Sequence, residues 1–206
     1  MSNSQKITTL FLDIGGVLLT NGWDTALRKR TAEHFKLDFE EMTSRHHLTY
    51  DTYETGKMTL EDYFKQTIFY KKQDFSFSDL TQWVLEQAKP FQDMIDLVKR
   101  LKVVYALQVA VVSNEGREVG MDRIERFHLE EFVDFFIVSA FVHFRKPDLD
   151  IYRLALDVAQ VKAQEVAYIE DRPLLVETAS ALRIHGVLHE NATKTRGELA
   201  KFGLEL

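Results

Sequence analysis

Four places in this sequence combine residue types that can do chemistry together. Asp13 follows the apolar run Leu10-Phe11-Leu12 and precedes Ile14-Gly15-Gly16. Ser113-Asn114 follows Val109-Ala110-Val111-Val112, Arg145-Lys146 stands directly before Pro147, and Glu170-Asp171 follows Val166-Ala167-Tyr168-Ile169. A carboxylate can attack phosphorus when a hard divalent cation cancels the repulsion between the two anions. A lysine neutralises further charge, and a hydroxyl with nearby backbone N–H groups can hold the phosphoryl oxygens. Asp13 could then carry the phosphoryl group as an aspartyl-phosphate. Three carboxylates, one hydroxyl and one lysine in this order describe a site for a metal and a phosphate.

Taken singly, each place has a plain structural reading. Asp13 before two glycines is a common turn arrangement. Ser113-Asn114 can cap a helix. Lysine is usually solvated. Glu170-Asp171 can complement a helix dipole. The combination carries the functional reading, provided that the fold brings the four places to one edge.

The surrounding elements predict that it does. Ile7–Ile14, Leu107–Ser113, Phe135–Val138 and Val166–Asp171 are apolar at nearly every position, as in strands buried on both faces of a parallel sheet; Gly186-Val187-Leu188 is a weaker candidate. Helical spacing lies between them. Phe91, Met94, Ile95, Val98 and Leu101 follow Pro90. Ile151, Leu154, Ala155 and Val158 are expected on the inner face of a helix opened by Pro147. Leu175, Val176 and Ala179 follow Pro173. Strands alternating with helices predict an α/β fold, a Rossmann-like doubly wound parallel sheet, which binds ligands at the carboxyl ends of its strands. Residues 21–89 break the alternation. Leu60, Phe64, Thr67 and Ile68 recur helically behind a Thr59–Asp62 capping pattern, and Phe77, Leu80 and Val84 suggest another helix. The expected organisation is a core of residues 1–20 plus 90–206 with a small helical unit, 21–89, inserted after the first strand.

Bulk properties narrow the function classes. The chain has 206 residues, 45% hydrophobic and 28% charged, with a net charge of −6 and no cysteine. The acidic balance disfavours nucleic acid or an anionic membrane as partner. Disulfides, zinc thiolate sites and cysteine nucleophiles are excluded. Met1–Thr9 has no apolar signal region, and no apolar run approaches the ~20 residues of a membrane span, so a cytoplasmic protein is expected. Oligomeric state is not legible.

The four places resemble the motifs of the haloacid dehalogenase superfamily. Phe11-Leu12-Asp13-Ile14-Gly15-Gly16-Val17-Leu18 resembles the first, Val111-Val112-Ser113-Asn114 the second, Arg145-Lys146-Pro147-Asp148 the third, and Tyr168-Ile169-Glu170-Asp171-Arg172-Pro173 the fourth. Tyr53–Thr59 is similar to the loop between cap helices in the branch with an α-helical cap. The resemblance implies a hydrolase, most often a phosphatase of a small phosphorylated metabolite, with Mg²⁺ as cofactor. It implies Asp13 as nucleophile, Ser113 and Asn114 at the phosphate, and Lys146 as charge partner and phosphate ligand. It places Asp13, the Gly15 carbonyl and Asp171 at the metal, with Glu170 beside them. Trp23, Arg45, Tyr50 and Tyr53 become candidate specificity residues of the cap.

One departure stands out. Phosphatases of this family usually carry a second Asp two positions after the nucleophile, to protonate the leaving group and later activate water. Here that position is Gly15. Losing a positioned acid–base costs ~10²–10⁴ in rate, roughly 3–5 kcal/mol in the barrier. The enzyme is then slow, or prefers good leaving groups such as sugar 1-phosphates, or borrows a proton from Asp24 or Glu115. Two other readings stand beside this one. A metal-independent 2-haloacid dehalogenase shares the fold and favours an arginine for the substrate carboxylate. A catalytically impaired phosphate-binding module would explain Gly15. The seven histidines, among them His46-His47 and His185 with His189, form no trusted metal spacing.

Overall fold

A computed structural model describes residues 6–206; residues 1–5, the start of the Met1–Thr9 segment expected to carry no signal region, lie outside it. Five parallel strands form one sheet: β1 (Thr9–Leu12), β2 (Gln108–Ser113), β3 (Phe135–Val138), β4 (Val166–Glu170) and β5 (His185–Leu188). Their order is β3-β2-β1-β4-β5. The chain therefore starts in the middle, winds outward through β2 and β3, then crosses β1 to finish on the other side. Leu12 is in register with Val111 on one neighbour and Ile169 on the other, so Asp13, Ser113 and Glu170 all emerge at the same edge.

Alternate residues of each strand enter different cores, which explains why these runs are apolar throughout. Leu10, Leu12, Val109, Val111, Ala167 and Ile169 pack against α5 (Gln92–Tyr105) and α10 (Ala192–Ala200). Phe11, Ala110, Val112 and Tyr168 pack against α8 (Leu149–Ala159) and α9 (Pro173–Ser180). Pro173 occupies the first turn of α9 as expected. The helix after Pro147 begins two residues later, with Asp148 as its cap accepting from the Asp150 N–H. Its buried stripe also differs from the expected one. Tyr152 and Ala159 are buried with Ile151 and Ala155, whereas Val158 is 47% exposed. The face turned to the sheet is centred nearer Ala155 and Tyr152, leaving Val158 on its rim.

Residues between β1 and α5 build α1 (Thr25–Phe35), α2 (Phe39–Glu54), α3 (Leu60–Thr67) and α4 (Phe77–Glu86). Each start is capped by a side chain: Asp24, Asp38, Thr59 and Ser76, the last in a reciprocal box with Asp79. The first two helices had no clear sequence pattern, because their apolar faces are narrow and interrupted by charge. The four helices share a separate apolar cluster, from Trp23 and Leu27 to Leu80 and Val84. The two crossings into this insertion run side by side. Thr20 N–H donates to the Lys89 carbonyl, and Phe91 N–H donates to that of Leu18. The remaining helices, α6 (Arg117–Arg126) and α7 (Ser139–Val142), follow β2 and β3. Among the described residues, no helix is long and apolar enough to cross a membrane.

Candidate active site

Backbone geometry fixes the floor of the site. The Asp13 N–H donates to the Ile169 carbonyl at 3.0 Å, extending the β1–β4 ladder by one residue. The chain then turns at Gly16, whose φ is +79°; a Cβ there would stand 2.2 Å from Asp171 Oδ2, so both the turn and the close approach require glycine.

Lys146 organises the charges. It is only 2% exposed, and its ammonium lies 3.0 Å from Asp13 Oδ1 and 2.7 Å from Glu170 Oε2. Glu170 is fully buried and engaged on both oxygens: Oε2 also accepts from the Tyr168 hydroxyl at 2.5 Å, and Oε1 from the Arg172 N–H. Burial pushes the Lys146 pKa down, but Asp13 and Glu170 together outweigh it and hold the ammonium protonated. Burial raises the Asp13 carboxyl above its ordinary value, with Lys146 opposing and Glu170 reinforcing the rise. Asn114 fastens the segment carrying the lysine: its amide donates to the Lys146 carbonyl at 2.9 Å and accepts from the Lys146 N–H at 2.8 Å. That leaves the backbone of Asn114, rather than its side chain, available to a ligand. Ser113 Oγ is buried beside Asp13 and, as a hydrogen-bonding neighbour, opposes the rise of its carboxyl.

Carboxylate oxygens of Asp13, Glu170 and Asp171 lie within 4.8 Å of one another. Three carboxylates against one buried lysine and the exposed Arg172 still leave surplus negative charge, and Asp171 Oδ1 is buried without a hydrogen-bond partner among the described residues. Such a donor set suits a hard divalent cation. Among the described residues this is the one group of three or more His, Asp or Glu side chains so placed. His185 and His189 instead bond to the Gln164 carbonyl and the Thr195 hydroxyl.

The Gly15 side is occupied differently. A Cβ at Gly15 would meet Asn21 Oδ1 at 3.1 Å and Arg123 Nη1 at 3.6 Å. Arg123 is buried, donates to the Thr20 carbonyl, and pairs with buried Glu115 at 2.5 Å. Both expected substitute acids line the cavity, and both are engaged. Asp24 Oδ1 accepts from the Leu27 N–H at 2.7 Å, and Glu115 is held by Arg123.

Above this floor lies a cavity of about 360 Å³, bounded by Asp13, Lys146 and Glu115 on the core and by Trp23, Arg28, His46 and Tyr50 on the insertion. Of the four expected specificity residues, Trp23 and Tyr50 reach it. Tyr53 stacks on Tyr63 beside a smaller, apolar recess. Arg45 does not reach it: the side chain pairs with Glu41 at 2.6 Å and lies over the Tyr70 ring. Arg145, paired with Asp51 and Glu54, and exposed Arg172 complete the wall. Arg28, His46 and Asn21 were missed in the sequence, because no spacing rule connects the insertion to the sheet edge.

Known proteins agree with this fold. A profile of haloacid dehalogenase-like hydrolases matches residues 19–188, a span that includes Ser113, Lys146 and Asp171 and begins after Asp13. A phosphorylated carbohydrates phosphatase from Thermotoga maritima is 29% identical over 136 residues, covering 65% of this chain and 58% of that protein. Two solved structures share the fold at under 25% identity. A predicted hydrolase of this family from Porphyromonas gingivalis has a TM-score of 0.77 and 20% identity, covering 97% of this chain and 99% of that one. A family enzyme from Bacteroides thetaiotaomicron, solved with magnesium and inorganic phosphate, has a TM-score of 0.75 and 16% identity, covering 89% and 94%. The chain is a member of the haloacid dehalogenase-like hydrolase family.

Proposed function

We propose that this hydrolase is a Mg²⁺-dependent phosphatase of a small phosphorylated metabolite, with Asp13 as its nucleophile. The observation that carries the reading is the surplus of carboxylates around one buried lysine at the sheet edge. Asp13, the Gly15 carbonyl and Asp171 would hold Mg²⁺, which when bound screens the charge between carboxylate and phosphate. Lys146 neutralises the phosphoryl oxygens while Glu170 fixes its position. The Ser113 hydroxyl and the Asn114 N–H bind those oxygens. Asp13 attacks phosphorus, the ester oxygen departs, and water later releases phosphate from the aspartyl group. Residues 21–89 act as the cap over this step.

Gly15 supplies no proton to the leaving group, and Asp24 and Glu115 are already engaged. We infer a preference for leaving groups that need little protonation, such as acyl, aryl or anomeric sugar phosphates. The activity named for the Thermotoga maritima relative supports a sugar phosphate. The arginines of the cavity wall favour a second reading, the metal-independent 2-haloacid dehalogenase. A single assay series separates the two. Hydrolysis of p-nitrophenyl phosphate and sugar 1-phosphates should require Mg²⁺, stop with EDTA and fall to background in D13N. Activity on chloroacetate that survives EDTA overturns the metal-dependent reading. Equal residual rates for wild type and D13N overturn Asp13 catalysis.

A further inference from the structure

Among the described residues, Arg28 is a buried cation that makes no salt bridge. It is 5% exposed and lines the cavity from the cap side. Nη1 donates to the Trp23 carbonyl at 2.7 Å and Nη2 to the Thr25 hydroxyl at 3.2 Å, both neutral acceptors. Its Nε is buried with no hydrogen-bond partner. The other cavity cations are accounted for. Lys146 has Asp13 and Glu170, and Arg145 has Asp51 and Glu54. Arg172 is exposed and feels Asp171 and Asp13. Asp24, four residues before Arg28, acts on it through its charge, but its Oδ1 accepts from the Leu27 N–H as the cap of α1 and makes no salt bridge to the guanidinium. Charged side chains are almost never fully buried unless paired, so the missing partner of Arg28 points to a ligand.

His46 lies on the same wall. Trp23 Nε1 can only donate, and it does so to the Tyr63 hydroxyl at 2.6 Å. The same hydroxyl lies 2.8 Å from His46 Nδ1. Burial and the charge of Arg28 hold the imidazole neutral. The cap wall thus carries one guanidinium without a salt bridge and a neutral imidazole, while its carboxylates have other partners: Asp24 caps α1, and Asp51 and Glu54 pair with Arg145.

We propose that Arg28, with His46 beside it, binds a second anionic group of the substrate, so that preferred substrates are small phosphate esters also carrying a carboxylate or a second phosphate. The proposal rests on the phosphatase reading above. One end of such a molecule lies at Asp13 and Lys146 on the floor, and its other charge meets Arg28 across a cavity of about 360 Å³.

Matched pairs of substrates test it. Glucose 6-phosphate against 6-phosphogluconate isolates a carboxylate; fructose 1-phosphate against fructose 1,6-bisphosphate isolates a second phosphate. A charge-assisted contact of this kind implies a roughly tenfold or larger advantage in kcat/KM for at least one charged twin, carried mainly by KM. The advantage should collapse toward unity in R28Q and be intermediate in R28K. Binding of the same pairs to D13N with Mg²⁺, read by calorimetry, separates the two ideas. Discrimination in binding without turnover in wild type supports the subsite and sinks the phosphatase reading. Turnover without preference for either charged twin, or a preference that survives R28Q, overturns the subsite. If R28Q fails to fold, the wild-type comparison and R28K still decide.

Discussion

The floor and the wall of the cavity handle buried charge in opposite ways. On the floor, Lys146 is held between Asp13 and Glu170, and Glu170 is itself held by Tyr168 and the Arg172 N–H. On the wall, Arg28 is held only by a carbonyl and a hydroxyl. The floor is therefore held by paired charges before any ligand arrives, which on the proposed phosphatase reading suits the group that every phosphate ester shares. On the same reading, the wall keeps a cation without a salt bridge for the part that varies.

Removing the two cations should expose this difference most strongly. K146M leaves Asp13 and Glu170 buried and uncompensated, a loss of ~3–5 kcal/mol in stability. R28M leaves no carboxylate stranded and should cost less than half as much. Urea denaturation in EDTA measures both, and equal losses would break the distinction.

Restoring the absent carboxylate sharpens it next. Gly15 has no positive φ, and the nearest obstacle to a Cβ is Asn21 Oδ1 at 3.1 Å. The Asn21 bond to Asp171 is long, 3.4 Å, so the amide can give way. G15D should therefore fold and raise turnover of alkyl phosphates by roughly tenfold or more relative to aryl phosphates. An unchanged ratio would mean that proton transfer is already supplied elsewhere.

The smallest effect is one of pH. Burial, reinforced by the charge of Arg28, lowers the His46 pKa from 6.5 to about 3. Between these values the unfolded chain binds a proton that the folded one does not. The contribution of neutral His46 to stability is thus complete above 6.5 and lost progressively on acidification toward 3. The melting temperature of H46Q should fall less steeply than that of wild type between pH 6.5 and 4. Parallel slopes would show that His46 does not carry the effect.

Much of the floor was legible because periodicity and position coincide there. An apolar run such as Val166–Ile169 must be buried on both faces, and the polar residue ending it must emerge at the sheet edge. Asp13, Ser113 and Glu170-Asp171 follow from that rule alone. Errors arose where a helix could rotate or a side chain could choose a partner. Val158 shares the spacing of Ile151 yet lies on the rim of the buried stripe. Arg45 sits in the right helix and pairs with Glu41 on the outside. The Asn114 side chain ties down the Lys146 backbone, a role that its position after β2 did not announce. Arg28 and His46 gave no signal, because a buried cation and a neutral imidazole look like ordinary polar residues until their surroundings are known.

The sequence by itself determined a doubly wound sheet, an inserted helical unit and the carboxylates and lysine at the strand ends. Strand alternation and the apolar runs leave little freedom in those. Only the tertiary structure decided which charges are paired, what stands beside Gly15 and which side chains of the inserted helices face the cavity. Those outcomes depend on contacts between residues as distant as Arg123 and Thr20, or Lys146 and Asp13, and on burial that removes water as a competing partner.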